Sequence, residues 1–480
     1  MENLTLIEYV AAIKAKKFTC TDGVKHFTAK IKADKHNAIL EVFPSALDHA
    51  KKLDEKIAKG EKLGLLAGAP IIIKDNMLYK GHIASCASKI LQNFVAPYTA
   101  TVVQKLIDQD AIILGRSNMD EFSMGTTGEN SAFGATHNAL RVGHVAGGTS
   151  SGSATAVAAG LCVASLGTDT GGSTRVPAAW SGLYGIKPTF GKVSRYGIMS
   201  YASSFDQAGP MCKTAADTKL LLEVISGKDP FDATSIAPTD TSILQKKYAK
   251  PFLAQNASSG AGIKVGYVKE VWEHKDKMQD FDKYQKIFET LKSKGAEIVP
   301  VSIKNIDLAL PTYYIIAPAE ASSNLARLDG VKYGAVCKDA KNIDELYKRT
   351  RTDFLGTEVK RRIALGNYVL SSGYLSNDTY YGKAKRIQAA LKTEFLSAFE
   401  QCDVIILPIT PTDAPKMNAI KDPISMYMMD LFSITANVTG VPSLAVPFDV
   451  GGQGLPIGFQ IMGKHFNEDL LFHVAEVYSK

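Results

Sequence analysis

Cysteine is scarce in this chain, and its six cysteines are widely scattered. The two nearest, Cys162 and Cys212, lie 50 positions apart, so no CxxC pair or other metal-ligand spacing is present. A large chain with few scattered cysteines is typical of a reducing cytosol, whereas disulfide frameworks belong to small secreted proteins. The sequence therefore predicts neither a metal site nor a disulfide scaffold.

Long apolar runs are also missing. The longest, such as residues 65–73, fall well short of the ~20 residues that a membrane-spanning helix needs. The N-terminal segment contains Glu2 and Glu8 and has the spacing of an amphipathic helix, which is unlike a secretory signal peptide. We therefore expect a cytoplasmic protein that does not bind a membrane.

The chain has little excess charge of either sign. Its 55 Lys and Arg against 48 Asp and Glu give a net charge of +7 over 480 residues, which permits an anionic partner but does not require one. Small basic clusters such as residues 360–362 are expected to be solvated helix faces. Neither GxxxxGK[ST] nor HExxH occurs, so no nucleotide-binding P-loop and no zinc-hydrolase helix is predicted.

The hydropathy pattern predicts an α/β protein. Residues 1–60 have helical spacing, and from about residue 69 short β-rich runs alternate with helical ones, which favours βαβ units and a largely parallel sheet. A second α/β pattern begins near residue 262. Residues 443–464 predict a hairpin that turns at Gly451–Gly454.

Lys74 follows three isoleucines, Ile71, Ile72 and Ile73, in a run typical of a buried strand. A lysine at the end of such a strand is partly desolvated, which disfavours its charged form and lowers its pKa. A neutral lysine can act as a general base. The alternative is an ordinary lysine that emerges into solvent and pairs with Asp75.

The segment GTDTGGSTR places Thr170, Gly171 and Gly172 directly before Ser173. Two adjacent glycines allow a tight turn that directs several backbone N–H groups at one spot, and such a nest binds an oxyanion. A serine at its end has its hydroxyl beside that hole, as acyl transfer requires. The alternative is a turn that needs glycines for its backbone alone.

A second Gly/Ser-rich segment, GGTSSGS at 147–153, contains the G-x-S-x-G pattern of the α/β-hydrolase nucleophile elbow. That elbow requires a strand before it and an acid and a histidine after it. The preceding RVGHVAGG is a poor strand, and the downstream His274, His465 and His473 lie in no suitable context. We therefore do not favour this interpretation.

Four motifs together resemble the amidase signature family: IIIKDN at 71–76, GGTSSGSATAVAAG at 147–160, LGTDTGGSTRVPA at 166–178 and GLYGIKPTFGKVSRYG at 182–197. In this order and spacing they are highly specific. The resemblance covers nearly the whole chain, and its C-terminal half is similar to the glutamine-hydrolysing subunits of tRNA-dependent amidotransferases. It implies one large α/β domain with a central, mostly parallel mixed sheet and helices on both faces. Residues 1–60 would be a helical segment of that domain, and residues 61–480 its amidase signature part.

The resemblance implies a Ser–Ser–Lys triad. Ser173 would attack the amide carbonyl, Lys74 would start proton removal, and a serine after the Gly-Gly pair would relay the proton. Thr149 stands at that middle position here; its hydroxyl also donates and accepts a proton, but its methyl group restricts χ1. Ser150 is a weaker substitute for this bridge. Ser151, where many members have glycine, is a second departure.

The resemblance also implies a pocket for free glutamine. Arg362 would hold the α-carboxylate by bidentate geometry, Asp430 would hold the α-ammonium, and Tyr313 would line the pocket, with Tyr314 as the alternative. The implied reaction passes through an acyl-serine and needs no metal or organic cofactor in this chain.

Asp169 and Arg175 flank the predicted nucleophile loop and would support it.

Three functions from different classes remain open. The first is the glutaminase subunit of a tRNA-dependent amidotransferase, a heterotrimer with subunits B and C in which a partner would bind ATP, Mg²⁺ and tRNA. The second is a free-standing amidase of the same family that acts on another small amide. The third is a non-catalytic scaffold. The presence of both Ser173 and Lys74 favours an enzyme, and Arg362 and Asp430 favour the first function.

Overall fold

One large sheet organises the protein, for which a computed structural model describes residues 1–236, 259–273, 278–373 and 379–480. Within these residues the sheet has eleven strands, in the order β1–β3–β2–β4–β6–β5–β10–β11–β9–β7–β8. In chain order the strands are β1 (Ile39–Val42), β2 (Pro70–Lys74), β3 (Ile112–Ser117), β4 (Ala164–Asp169), β5 (Tyr184–Lys187), β6 (Gln207–Cys212), β7 (Lys264–Val268), β8 (Glu297–Val301), β9 (Val404–Pro408), β10 (Ser443–Val450) and β11 (Pro456–Gly463).

Parallel pairing occurs in two parts of the sheet. Strand β2 is parallel to β3 and β4, and β7 is parallel to β8 and β9. The strands between these parts pair antiparallel, and β10 and β11 form the predicted hairpin. The mixed α/β sheet is thus confirmed, but the parallel pairing that we expected through most of it holds only in these two parts.

Helices connect the strands and cover the sheet. In the described residues they are α1 (Leu6–Lys14), α2 (Cys20–Ala33), α3 (Ser45–Ala58), α4 (Thr101–Asp108), α5 (Ser151–Ala158), α6 (Arg175–Trp180), α7 (Ala215–Ile225), α8 (Lys269–Glu273), α9 (Phe281–Ser293), α10 (Ala309–Asn324), α11 (Ile343–Phe354), α12 (Thr357–Ser371), α13 (Tyr380–Gln401), α14 (Pro423–Met428), α15 (Thr435–Thr439) and α16 (Glu468–Ser479). Short 3₁₀ helices span Lys89–Leu91, Glu121–Ser123, Ile306–Leu308 and Leu325–Arg327. Throughout the described ranges, we find no helix with both the length and the apolar character needed to cross a membrane.

The N-terminal segment departs from its all-helical prediction at one point. Helices α1 and α2 begin at the capping boxes of Thr5 and Thr19, and α3 follows, but Ile39–Val42 forms strand β1. This strand pairs antiparallel with β3 at the edge of the sheet. The helical prediction is wrong there because four residues are too few to show a period of two.

Two packing arrangements position the candidate site. Strands β2 and β4 are adjacent and parallel, so their carboxyl ends, with Lys74 and Asp169, lie at the same edge of the sheet. On one side of that edge, helix α10 packs closely on α12. A Cβ atom added to Gly366 of α12 would lie 2.0 Å from the carbonyl oxygen of Pro318, so this approach requires glycine.

Candidate active site

Lys74, the last residue of β2, lies with its side chain fully buried among hydroxyl groups. Its Nζ donates to Thr149 Oγ1 at 2.7 Å, to Thr168 Oγ1 at 2.9 Å and to Ser150 Oγ at 3.0 Å. Burial lowers the pKa of Lys74 to about 7, and the carboxylate of Asp120 is the largest charge that opposes this shift. The pattern-based prediction of a desolvated lysine is therefore confirmed.

The alternative of a solvent-exposed Lys74 paired with Asp75 is wrong. Asp75 is also buried, and its Oδ1 accepts from Arg116 Nη1 at 2.7 Å. The same carboxylate accepts from the backbone N–H groups of Ser85 and Ala87. Asp75 therefore binds the loop that contains Ser85 and Ala87, and the hydroxyl groups remain as the partners of Lys74.

The three hydroxyls around Lys74 differ in what else they bind. Ser150 Oγ donates to the carbonyl oxygen of Thr168 at 3.1 Å and accepts from the N–H of Thr168 at 3.2 Å. Thr168 Oγ1 also accepts from Asn76 Nδ2 at 3.0 Å. Thr149 Oγ1 has only Lys74 as a hydrogen-bond partner within the described ranges. Its proton is therefore free to move, whereas that of Ser150 is engaged, which favours Thr149 as the bridge.

Ser173 lies in the loop between β4 and α6 and is 7% exposed. Its carbonyl oxygen accepts from the N–H of Ser150 at 3.2 Å, so this loop packs directly against the segment that carries Thr149. The peptide bond between Gly148 and Thr149 is cis. The structure thus brings the predicted nucleophile loop, the Gly/Ser segment and the strand-end lysine to one place.

Asp169 and Arg175 form a fully buried ion pair beneath the nucleophile loop, with Arg175 Nη2 2.9 Å from Asp169 Oδ1. Burial opposes ionisation of Asp169, but the guanidinium outweighs it and lowers the pKa of the carboxyl to about 2. The carboxylate accepts from the N–H of Gly172 at 2.9 Å and of Thr174 at 3.2 Å. The pair therefore holds the loop as expected.

The contact between Asp169 and the Gly172 N–H bears on the predicted oxyanion hole. An N–H that donates to a carboxylate is largely unavailable to a second acceptor. Of the three predicted donors, Gly172 is therefore engaged in holding the loop, and the N–H groups of Thr170 and Gly171 remain as the predicted donors.

Arg362 is buried in α12, so the solvated helix face that was expected for residues 360–362 is wrong at this residue, and it has one unused donor. Its Nε donates to Glu358 Oε1 and its Nη1 to Tyr201 Oη, both at 2.8 Å, and the rings of Tyr201, Tyr314 and Tyr427 lie 5.5–5.6 Å from the guanidinium carbon. Arg362 Nη2 is buried and has no partner among the described residues. A buried, unpaired donor is costly unless a ligand supplies an acceptor, so this atom fits a carboxylate-binding role.

Asp430 lies on the other side of Tyr314. Its Oδ2 accepts from Tyr314 Oη at 2.7 Å and from Thr126 Oγ1 at 3.2 Å. Burial raises the pKa of Asp430 to about 7. A bound ammonium would stabilise the ionised carboxylate and lower this pKa again.

Tyr313 and Tyr314, which the sequence left as alternatives, have different surroundings. A Cβ atom added to Gly171 would lie 2.7 Å from Tyr313 Oη, so Tyr313 lines the nucleophile loop. Tyr314 instead holds Asp430 and stacks on Tyr427, with ring centroids 4.0 Å apart. Tyr313 is therefore the one that lies at the nucleophile loop, whereas Tyr314 orients the carboxylate of Asp430.

Two buried residues beside the predicted triad, Thr168 and Asn76, were not assigned from the sequence: Thr168 Oγ1 accepts from Lys74 Nζ, and Asn76 Nδ2 donates to Thr168 Oγ1. Both stand inside the motifs that carry the family resemblance, and that was the available signal. Their hydrogen bonds join residues 92 and 94 positions apart, which no local pattern reports.

The nucleophile-elbow interpretation is not supported. Residues 141–148 contain isolated bridges at His144 and Val145 rather than a strand. Burial lowers the pKa of His465 to about 4, and its ring lies near Gly440. His274 lies outside the described residues. Among the described residues, no group of three or more His, Cys, Asp or Glu side chains could hold a metal ion.

Comparison with known proteins shows the family to which the chain is similar. A family model described as Amidase matches residues 22–472. The A subunit of the glutamyl-tRNA(Gln) amidotransferase of Lachnospira eligens is 44% identical over 480 residues, which cover 99% of this chain and 98% of the relative. The corresponding protein of Microcystis aeruginosa, which has the same name, is 46% identical over 469 residues, which cover 97% of this chain and 95% of the relative.

The fold agrees as well. The crystal structure of the glutamyl-tRNA(Gln) amidotransferase A subunit from Thermotoga maritima has a TM-score of 0.79 and 34% identity, over 99% of this chain and 94% of that one. Because both the family model and the relatives span nearly the whole sequence, the chain belongs to the amidase family.

Proposed function

We propose that this chain is the glutaminase subunit of a glutamyl-tRNA(Gln) amidotransferase, a carbon–nitrogen ligase. It hydrolyses glutamine and supplies the ammonia that converts Glu-tRNA(Gln) to Gln-tRNA(Gln). The observation that carries the proposal is the fully buried Lys74 amine, 2.7 Å from the Thr149 hydroxyl and beside the loop of Ser173. The full-length similarity to the amidotransferase relatives supports the choice of substrate.

The reaction begins with proton transfer. Neutral Lys74 removes the proton of Thr149, and Thr149 removes that of Ser173, whose Oγ attacks the side-chain amide carbon of glutamine. The N–H groups of Thr170 and Gly171 stabilise the oxyanion; one such donor typically contributes about 3–4 kcal/mol.

Collapse of the tetrahedral intermediate breaks the C–N bond. The proton returns through Thr149 to the leaving nitrogen, so ammonia departs and a γ-glutamyl ester remains on Ser173. Water, deprotonated by the same Lys74–Thr149 relay, then attacks the ester carbon. The acyl C–O bond breaks, glutamate leaves, and the relay returns the proton to Ser173 Oγ.

Glutamine is oriented by two charged groups. Arg362 Nη2 binds the α-carboxylate, and Asp430 binds the α-ammonium. Tyr313, which lies against Gly171 of the nucleophile loop, lines the pocket. The two charges of the ligand are thus each matched in a site from which water is largely excluded.

The other activities of the complex belong to partner subunits. We propose a cytoplasmic heterotrimer with subunits B and C, in which the partner binds ATP, Mg²⁺ and the tRNA. This chain requires no metal or organic cofactor for the steps described above.

The test is purification of the tagged full chain with its associated subunits, followed by measurement of ammonia from glutamine. Ser173→Ala should abolish glutamine hydrolysis, and added ammonium chloride should restore Gln-tRNA formation by the same complex, because external ammonia bypasses the glutaminase. Ser226→Ala, at the end of α7, serves as the matched control. Near-normal turnover by Ser173→Ala refutes the proposal, and faster hydrolysis of simple amides than of glutamine favours a free-standing amidase.

A further inference from the structure

Asp206 is a buried carboxylate that joins the nucleophile loop to a neighbouring turn. Its Oδ1 accepts from Thr170 Oγ1 at 2.7 Å and from the N–H of Ala202 at 3.2 Å. Its Oδ2 accepts from the N–H of Tyr201 at 2.9 Å. The side chain of Asp206 thus binds both its own turn and the nucleophile loop, and an ionised carboxylate is suited to this because both of its oxygens are acceptors.

Tyr201 extends this connection to Arg362. Its Oη accepts from Arg362 Nη1 at 2.8 Å, and the guanidinium carbon lies 5.5 Å from the centre of its ring. The other hydrogen bond of Arg362 goes to Glu358 of its own helix. Of the hydrogen bonds that Arg362 makes, the one to Tyr201 therefore connects its guanidinium, through Asp206, to the nucleophile loop.

A second contact runs beside the first. Phe205, the residue before Asp206, stacks on Tyr313 with ring centroids 5.6 Å apart and an angle of 29° between the planes. Tyr313 in turn lies against Gly171 of the nucleophile loop. The turn 201–206 therefore touches both ends of the proposed glutamine site.

We propose that Asp206 is a positioning residue that sets the distance between Ser173 and Arg362 and thereby selects glutamine over asparagine. This inference rests on the proposed function. The two amides differ by one methylene, a step of about 1.5 Å along the chain, and a misplacement of about 1 Å at a reacting centre can cost roughly 100-fold in rate. A fixed distance from the α-carboxylate site to the nucleophile therefore discriminates between them.

The test compares Asp206→Asn with wild type in the full chain purified with its associated subunits. The asparagine side chain keeps the shape but has one acceptor oxygen, so it cannot bind Thr170 and Tyr201 equally well. The substrates are glutamine, asparagine and 4-nitrophenyl butyrate, an activated ester with the same four-carbon chain but no α-carboxylate and no α-ammonium. The values of kcat and KM are measured for each.

Asp206→Asn should lower kcat/KM for glutamine roughly 10- to 100-fold and the glutamine-to-asparagine ratio by about tenfold, while acylation by the ester changes less than about threefold. Asp217→Asn is the matched control. Asp217 is also buried and accepts from a threonine hydroxyl (Thr214, 2.7 Å) and a backbone N–H (Ile7, 2.9 Å), but it lies in α7. This variant should leave the ratio unchanged.

Thr170→Val removes the hydroxyl that Asp206 binds and should lower the glutamine-to-asparagine ratio in the same way. This variant replaces Asp206→Asn in the test if Asp206→Asn does not fold. A folded variant of either kind with a ratio within about twofold of wild type overturns the inference while the proposed function stands. A wild type that releases no ammonia from glutamine overturns both.

Discussion

Lys74 and Thr149 lie 75 positions apart in the sequence, yet the buried amine of the first donates to the hydroxyl of the second at 2.7 Å. Lys74 is the last residue of strand β2, and Thr149 lies in the loop before α5. The contact places a threonine where family members are expected to have a serine. Several experiments can test whether this hydroxyl and this amine move the proton that acyl transfer requires.

Replacement of Thr149 tests the proton relay. Thr149→Ser should keep or raise the rate of glutamine hydrolysis, because the hydroxyl remains and the methyl group that restricts χ1 is removed. Thr149→Val should lower kcat by about 100-fold or more, because general acid–base transfer through this position is lost. Steady-state ammonia release measures both.

Ser150→Ala is the comparison for Thr149→Val. Ser150 also contacts Lys74, but its proton is donated to the carbonyl of Thr168. Loss of the Ser150 hydroxyl should therefore lower kcat by about tenfold at most. If Thr149→Val is as active as wild type, or Ser150→Ala is the more severe variant, the relay does not run through Thr149.

The pH dependence of kcat tests the protonation state of Lys74. Because burial lowers its pKa to about 7, the neutral form that acts as base predominates above that pH and disappears below it. The value of kcat should therefore fall about tenfold per pH unit below pH ~6.5 and level off above pH ~8. Lys74→Arg should be inactive throughout, because a guanidinium does not lose its proton. A flat profile between about pH 6 and 9 contradicts a neutral lysine as the base.

Replacement of Arg362 tests substrate binding. Arg362→Lys keeps the charge but loses the unpartnered Nη2, so KM for glutamine should rise roughly 10- to 100-fold with little change in acylation by 4-nitrophenyl butyrate. Arg361→Met is the matched control, since Arg361 pairs with the same Glu358 from the exposed side of α12. Equal KM values for Arg362→Lys and wild type would remove Arg362 from the glutamine site.

Replacement of Arg175 tests the support of the nucleophile loop. Arg175→Met leaves Asp169 buried without its cation, which should lower the free energy of unfolding by about 3–5 kcal/mol. The double variant Asp169→Asn/Arg175→Met should be less destabilised than Arg175→Met, because no unpaired charge is left. Denaturant titration at neutral pH measures both differences.

The pH dependence of this destabilisation follows from the pKa of Asp169. Its pKa in the folded chain is about 2, below the value of about 3.9 expected when unfolded, so the contribution of the pair is complete above pH ~4 and is lost as the pH falls towards 2. The difference in the free energy of unfolding between wild type and Arg175→Met should therefore decrease as the pH falls. A gap that is constant from about pH 7 to 2 would show that the pair contributes no ionic stabilisation.

Local features of the site were predictable from the sequence because they depend on neighbouring residues. An isoleucine run predicts a buried strand, so a desolvated Lys74 at its end was one of the two interpretations that the sequence allowed. The hairpin around Gly451–Gly454 is likewise a local pattern, and the structure confirms it. The roles assigned to Ser173 and Thr149 came from motifs, and they stay predictions until the variants are measured.

The tertiary structure decided which partners each polar group has. The antiparallel centre of the sheet, the short strand β1 and the separate surroundings of Tyr313 and Tyr314 all depend on residues far apart in the chain. Hydropathy periods and turn residues report which backbone conformation a segment prefers. They do not report which distant hydroxyl or carboxylate will meet it, because strand order and helix packing determine those hydrogen bonds.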